Sequence, residues 1–353
     1  MNLLLLGAGG FIGSHLVEAL IAQGRHTIVG VDVADEKLAG IHGPTFTFVQ
    51  ADVASDLAVT DEFIDRADAV VDLIGYANPS IYIERPLDVF DLNFRFNLKV
   101  IERCVDTGVR IIQYSTSEVY GRPTGPTYRE DQSELVMGPV TKQRWIYAAS
   151  KQLLERVIHA YGLEGRLTYA ILRPFNFLGP RLDYLVPAGA MGGPRVFSHY
   201  MSALLTGGPM YLVDGGTVHR SFTHIEDANQ AFLAILDHPE ASNEAFNIGN
   251  PENDTTIRGF AELMCDVYEE LTGTEPNCDL VEIDGQDFYG PGYQDTTRVV
   301  PDIEKMRRLG WEPRRDLRTA VTDAMRYYLD PSNQTLHGSP YSLDSAGDSL
   351  SLD

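Results

Sequence analysis

The stretch "NLLLLGAGGFIGSHLVEALIAQG", residues 2–24, constrains the fold more than any other. An apolar run stops at Gly7, glycine recurs at Gly10 and Gly13, and a helix-length segment follows at once. Glycines so placed permit a tight turn and let the backbone approach a diphosphate closely. The helix that follows turns its unpaired N–H groups and positive dipole end toward the same point. A glycine-rich turn also serves merely to join strand to helix, so the context has to decide. Here the second apolar run, "HTIVGVD", ends in Asp32, roughly twenty residues on, where a carboxylate accepts both ribose hydroxyls and repels a 2′-phosphate. That pattern predicts a dinucleotide site for NAD rather than NADP. Its candidates are Gly7, Gly10, Phe11, Ile12, Gly13 and Asp32, with Asp52 and Val53 of "VQADV" near the adenine, and Asn97.

Short apolar runs continue through "FTFVQAD", "DAVVDLI", "RIIQYSTS" and "LTYAILRP", separated by helical patterns such as "RPLDVFDLNFRFNLKVIERCVDTG". Strands alternating with helices predict an α/β fold, a Rossmann-like doubly wound parallel sheet buried on both faces. The first domain is expected over residues 1–175. A smaller α/β substrate-binding domain is expected over 176–330, with about 222–248 returning to the first. "GPRLDYLVPAGAMGGPR" and "DFYGPGYQD" read as loops, a helix N-cap is expected at or near Asp227, and "LRTAVTDAMRYYLD" reads as the closing helix. The polar stretch 331–353 is expected to be disordered.

Composition narrows the partners. A formal charge of -22 over 353 residues argues against nucleic acid or an anionic membrane as partner. An anionic substrate therefore needs arginines and lysines gathered locally. Three cysteines without paired spacing predict neither a disulfide framework nor a metal site, and they suit a reducing cytoplasm. The N-terminus reads as a first strand rather than a signal peptide, and no apolar run is long enough to span a membrane.

"YAASK" sets Tyr147 and Lys151 four apart, on one face of a helix. A phenol with an ordinary pKa near ~10 is a poor base, but a neighbouring ammonium and an oxidised nicotinamide both favour phenolate. A core tyrosine beside a surface lysine gives the same spacing. The combination with the glycine motif and with Thr116, in the hydroxyl-rich "YSTSEVYG", favours a catalytic pair that takes a proton from a substrate hydroxyl.

Together these residues resemble the extended short-chain dehydrogenase/reductase family, the NAD-dependent epimerases and dehydratases of nucleotide sugars. "STSEVYG", "GPVTKQRWIYAASKQLLERVI", "RPFNFLGPRLD", "FNIGNPEN" and "YGPGYQD" look closest to its UDP-glucuronate decarboxylase branch. The resemblance implies oxidation of the sugar at C4 by Tyr147 and NAD, followed by loss of the C6 carboxylate beside the new ketone. The product would be UDP-4-keto-pentose or UDP-xylose. Related 4,6-dehydratases carry an Asp where this chain has Ser117, which disfavours dehydration, and simple 4-epimerases usually carry a small or hydroxyl residue where Glu118 stands. Glu118 either relays a proton to the enolate or favours departure of neutral carbon dioxide by its charge. A cap or a buried salt bridge is the plain structural alternative for it.

By the same resemblance Tyr82, Asn176, Arg195, Arg220 and Tyr293 contact the substrate. The branch carries an Arg where this chain has Val299, and Arg298 is the nearest replacement. A UDP-sugar 4-epimerase acting on glucuronate, a UDP-apiose/UDP-xylose synthase, and a non-catalytic NAD-binding regulator are the alternatives. The resemblance also implies a homodimer formed by helices near residues 90–106 and 147–161.

Overall fold

The computed structural model describes residues 1–334 except 56, 188 and 297. Most of the expected polar tail lies outside them. Six predicted strands form where the apolar runs stand: β1 (Asn2–Leu6), β2 (Thr27–Asp32), β3 (Phe46–Gln50), β4 (Ala69–Asp72), β5 (Arg110–Tyr114) and β6 (Tyr169–Pro174). A seventh, β7 (Glu244–Ile248), joins them from late in the chain. All pair in parallel, in the order β7-β6-β5-β4-β1-β2-β3. Burial on both faces explains the unbroken apolar runs: Leu3 to Leu6 are all essentially inaccessible. The strand order reverses between β1 and β4, the position at which an open α/β sheet leaves a crevice at its carboxyl ends.

The segment after β6 leaves the main sheet and comes back. Strands Gly208–Val213 and Cys278–Ile283 pair in parallel, and His219–Ser221 lies between Asp254–Thr256 and Arg298–Val299. Between them the helix Ile225–Asp237 packs on helix α1 (Phe11–Gln23), with Asn229 Nδ2 donating to the His15 carbonyl. Asp227 is not its N-cap. His224 is, its Nδ1 accepting the Glu226 N–H at 3.0 Å. Asp227 instead receives the N–H groups of Arg314 and Arg315 and the Arg315 guanidinium, tying the closing helix Leu317–Leu329 to the body. "DFY" of the predicted loop forms part of a short helix, Gly285–Tyr289.

The segment expected as one helix after Arg85 is helical in three pieces: Pro86–Phe90, a π-helical turn Asp91–Phe96, and Asn97–Thr107. The π turn sets two asparagines under the turn that follows β4. Asn93 Oδ1 accepts the Tyr76 N–H at 2.7 Å, and Asn97 Nδ2 donates to the Ile74 and Leu92 carbonyls at 3.2 and 3.0 Å. A widened turn at this point braces the mouth of the crevice from below.

Candidate active site

The glycine turn closes as the sequence predicts. Gly7 sits at φ 89°, which a side chain would strain, and a Cβ on Gly13 would lie 2.8 Å from the Ala8 Cα. No side chain caps α1, and no acidic residue occupies its first turn, so Gly10, Phe11 and Ile12 present backbone at the helix N-terminus. Asp32 is held beside the turn: the Gly9 N–H donates to its Oδ2 at 2.9 Å and the Ala34 N–H to its Oδ1 at 3.3 Å. Burial raises the Asp32 pKa, opposed by those N–H groups. The cradle and the carboxylate together fit the diphosphate and ribose of NAD. Asp52 is exposed and accepts the Ala54 N–H, whereas Val53 is buried. Asn97 stands under the site, its amide committed to the Ile74 and Leu92 carbonyls.

At the carboxyl ends of β4, β5 and β6 a cavity of about 300 Å³ opens between the main sheet and the later segments. Thr116, Ser117, Glu118, Tyr147 and Lys151 all line it. Helix α2 (Trp145–Leu163) carries Tyr147 and Lys151, and both are buried. Lys151 Nζ donates to the Tyr114 carbonyl at 3.1 Å and the Ile74 carbonyl at 3.4 Å. Burial lowers the Lys151 pKa, while Asp72 and Glu155 raise it. The Tyr147 phenol is pushed up to about 12, chiefly by burial, with its bond to Thr116 pulling the other way. In the protein alone, burial therefore outweighs the lowering that the spacing of Tyr147 and Lys151 predicts. Tyr82 stacks on Tyr147, ring centroids 4.5 Å apart and planes 7° from parallel.

Glu118 has a partner that the sequence reading did not name. Arg144 donates to both of its oxygens, at 2.6 and 2.8 Å, with the guanidinium stacked 5.1 Å from the Trp145 ring. Asp295 stands 4.0 Å from Nη2 of Arg144 and accepts from Arg220 at 2.5 Å. Two arginines and two carboxylates thus alternate along one wall of the cavity. Burial alone would lower the Arg144 pKa, but Glu118 and Asp295 raise it above the ordinary value. For Asp295 burial acts upward, and Arg220 and Arg144 together bring the net pKa down. The sequence signal was present: Arg144 heads "RWIYA" and Asp295 closes "YQD". What one-dimensional reading lacks is the contact between them.

Of the remaining substrate candidates, Tyr82, Asn176, Arg195, Arg220 and Tyr293 line the same cavity. Arg195 is forked onto Asp183, at 2.9 and 2.7 Å. Asn176 takes a positive φ of 39° and donates to the Ser221 carbonyl. Arg298 is not among the lining residues. It reaches Asp254 at 2.7 Å on the exposed face of its strand.

A doubly wound sheet, a glycine cradle beside Asp32 and a buried Tyr147–Lys151 helix face over the crevice make up the arrangement. Residues 3–249 match the NAD dependent epimerase/dehydratase family, and the chain belongs to it. NAD is accordingly its cofactor. Among solved structures it is similar to the PbgP3 protein from Burkholderia pseudomallei, with 32% identity, 93% of this chain and 96% of that one covered, and TM-score 0.83. It shares the fold of MoeE5 in complex with UDP-glucuronic acid and NAD (22% identity; 93% and 99% covered; TM-score 0.73). It also shares the fold of dTDP-glucose 4,6-dehydratase from Bacillus anthracis in complex with NAD (21%; 95% and 98%; 0.74). Among the described residues no helix is long and apolar enough to cross a membrane.

Proposed function

We propose that the chain acts on UDP-glucuronate, oxidising it at C4 and releasing C6 as carbon dioxide to give UDP-4-keto-pentose or UDP-xylose. The observation that carries this reading is the meeting of Thr116, Ser117 and Glu118 with Tyr147 and Lys151 in one cavity. The glycine turn and Asp32 would hold NAD, which would supply the hydride acceptor for oxidation at C4. Tyr147 takes the proton of the C4 hydroxyl while Thr116 holds that hydroxyl in line, and Lys151 supplies positive charge that favours phenolate. Ser117 is too weak an acid to expel a C6 hydroxyl. With Arg298 turned to Asp254, Arg144 and Arg220 are two cavity-wall cations that can face a sugar carboxylate, and Glu118 and Asp295 temper their hold on it. A ketone beside the carboxylate accepts the electrons of the departing C–C bond.

One observation favours a second reading, a UDP-sugar 4-epimerase. Arg144, Arg195 and Arg220 are each already paired with an acid of the chain, which suits a neutral sugar. Incubation with NAD and UDP-glucuronate, followed by NMR of the products, separates the readings. Pentose with carbon dioxide is expected. A hexuronate epimer, or epimerisation of a neutral UDP-sugar offered in a parallel incubation, would establish the second reading, and no conversion of either UDP-sugar would leave a regulator. Glu118→Gln is expected to form NADH and little carbon dioxide, and undiminished carbon dioxide would remove Glu118 from the chemistry. The homodimer belongs to the same proposal: Leu153, 46% exposed, sits on the helix expected to pair with its copy.

A further inference from the structure

Asp72 ends β4 fully enclosed, and nothing in the reaction above uses it. Its Oδ1 accepts the Ile74 N–H at 3.0 Å, while Oδ2 has no hydrogen-bond partner. The carbonyl of the same Ile74 accepts from Lys151 Nζ at 3.4 Å. A single residue of the turn thus ties a buried carboxylate to the buried ammonium. We propose that Asp72 is the counter-ion of Lys151, a positioning residue that keeps the lysine charged in a water-poor site so that Tyr147 can lose its proton near neutral pH. This rests on reading Tyr147 and Lys151 as the oxidising pair.

Among the described residues, Asp72 is the one carboxylate available for the task. The charged groups acting on Lys151 are Asp72 and Glu155. Glu155 is already committed, receiving both Nε and Nη2 of Arg173 at 3.0 and 2.6 Å. Around Asp72 stand Lys151 on α2, the Cys104 thiol on the helix Asn97–Thr107, and the neutral Gln113 on β5. Burial raises Asp72 to about 6, against the pull of Lys151 and the Ile74 N–H. Asp72 is therefore ionised at neutral pH and discharged as pH falls through that value. A raised carboxylate stabilises the fold only below its unfolded pKa, and that contribution is lost as pH rises through about 6. At neutral pH the charge works against stability, which fits a group kept for what it does to Lys151. Its residue type stands plainly in "DAVVDLI", yet inside an apolar run it gives no sign of a partner.

The chain has only five lysines, Lys37, Lys99, Lys142, Lys151 and Lys305, which makes the test direct. In NAD-loaded protein labelled with ¹³C at lysine Cε, Lys151→Arg assigns the Lys151 signal, and its shift is followed against pH. Asp72→Asn is expected to lower the Lys151 midpoint by roughly one to two pH units, the size of one charge removed several ångströms away at an effective dielectric near ~20. NADH formation near neutral pH is expected to slow about tenfold per unit as its acidic limb moves up. A Lys151 midpoint that stays in place overturns the proposal, and Asp72→Ser serves if the asparagine variant fails to fold. Tyr147→Phe separates the two ideas: undiminished NADH formation would overturn the Tyr–Lys pair, whatever the lysine titration shows.

Discussion

Replacing Arg144 by Met is the most telling single perturbation of the cavity wall. The Arg144 side chain is 3% exposed and Glu118 26%, and the pair is joined by two short bonds. Methionine keeps much of the packing volume against Trp145 but leaves Glu118 without its bidentate partner, while Asp295 keeps Arg220 at 2.5 Å. Breaking a fully buried pair costs about 3–5 kcal/mol, and the partial exposure of Glu118 brings the expected loss down to about 2–3 kcal/mol. For a chain of 353 residues the entropy of unfolding is about 0.7 kcal/mol per kelvin, so the melting temperature should fall by about 3–4 °C. Glu118→Gln should cost less, about 1 kcal/mol, because Arg144 keeps Asp295 at 4.0 Å and the amide oxygen can still accept a bond. Thermal melts of wild type, both single variants and the double variant complete the cycle. A coupling of about 1–2 kcal/mol is expected. Costs that add to within about 0.3 kcal/mol would refute the idea that the two side chains hold each other in the cavity.

Three further outcomes follow from other parts of the molecule. Gly13→Ala drives a Cβ into the Gly7–Ala8 turn, and isothermal titration should find NAD binding weakened by at least tenfold. His15 is lowered to about 4, first by burial and then by Arg181, so its neutral form carries stability that is present above pH 6.5 and lost as pH falls through 4. Melts across that window should show a shallower acid decline in His15→Gln. Glu155→Ala strands Arg173 in the core and should cost about 3–5 kcal/mol, read as a lowered unfolding midpoint in urea, whereas changing the exposed pair Arg66–Glu62 should cost under about 0.5 kcal/mol.

The main sheet was legible because each determinant is local. An unbroken apolar run marks a strand buried on two faces, and glycines at fixed offsets mark the turn after β1. Tyr147 and Lys151 share a helix face by spacing alone. The π turn at Asp91–Phe96 was not legible, since the hydrogen bonds beside it are tertiary: Asn93 accepts the Tyr76 N–H and Asn97 donates to the Ile74 carbonyl. A cap at or near Asp227 is legible because aspartate is a common N-cap. In the fold that carboxylate is drawn to the Arg314–Arg315 backbone, far along the chain, and His224 caps in its place.

The charged wall shows the same division most clearly. Residue types at 118, 144, 220 and 295 declared that charges of both signs were available, and the net negative charge of the chain required any cation near a substrate to be held locally. Which cation meets which anion depends on where β5, α2 and the segment after Tyr293 converge, and no spacing rule links residues 26 to 177 positions apart. Arg298 illustrates the cost of relying on proximity in sequence. It lies one residue from the position of interest, but Asp254 holds its guanidinium and it is not among the residues that line the cavity. Arg144, distant in sequence from Glu118, arrives instead because it stands one turn before Tyr147 on the approach to the same helix. Under the proposed reaction, the phenol that takes the proton and the arginine that holds Glu118 are therefore carried by one continuous segment. Any displacement of that segment would move both together, so variants that loosen α2 should lose oxidation and carbon dioxide release in parallel, whereas Glu118→Gln separates them.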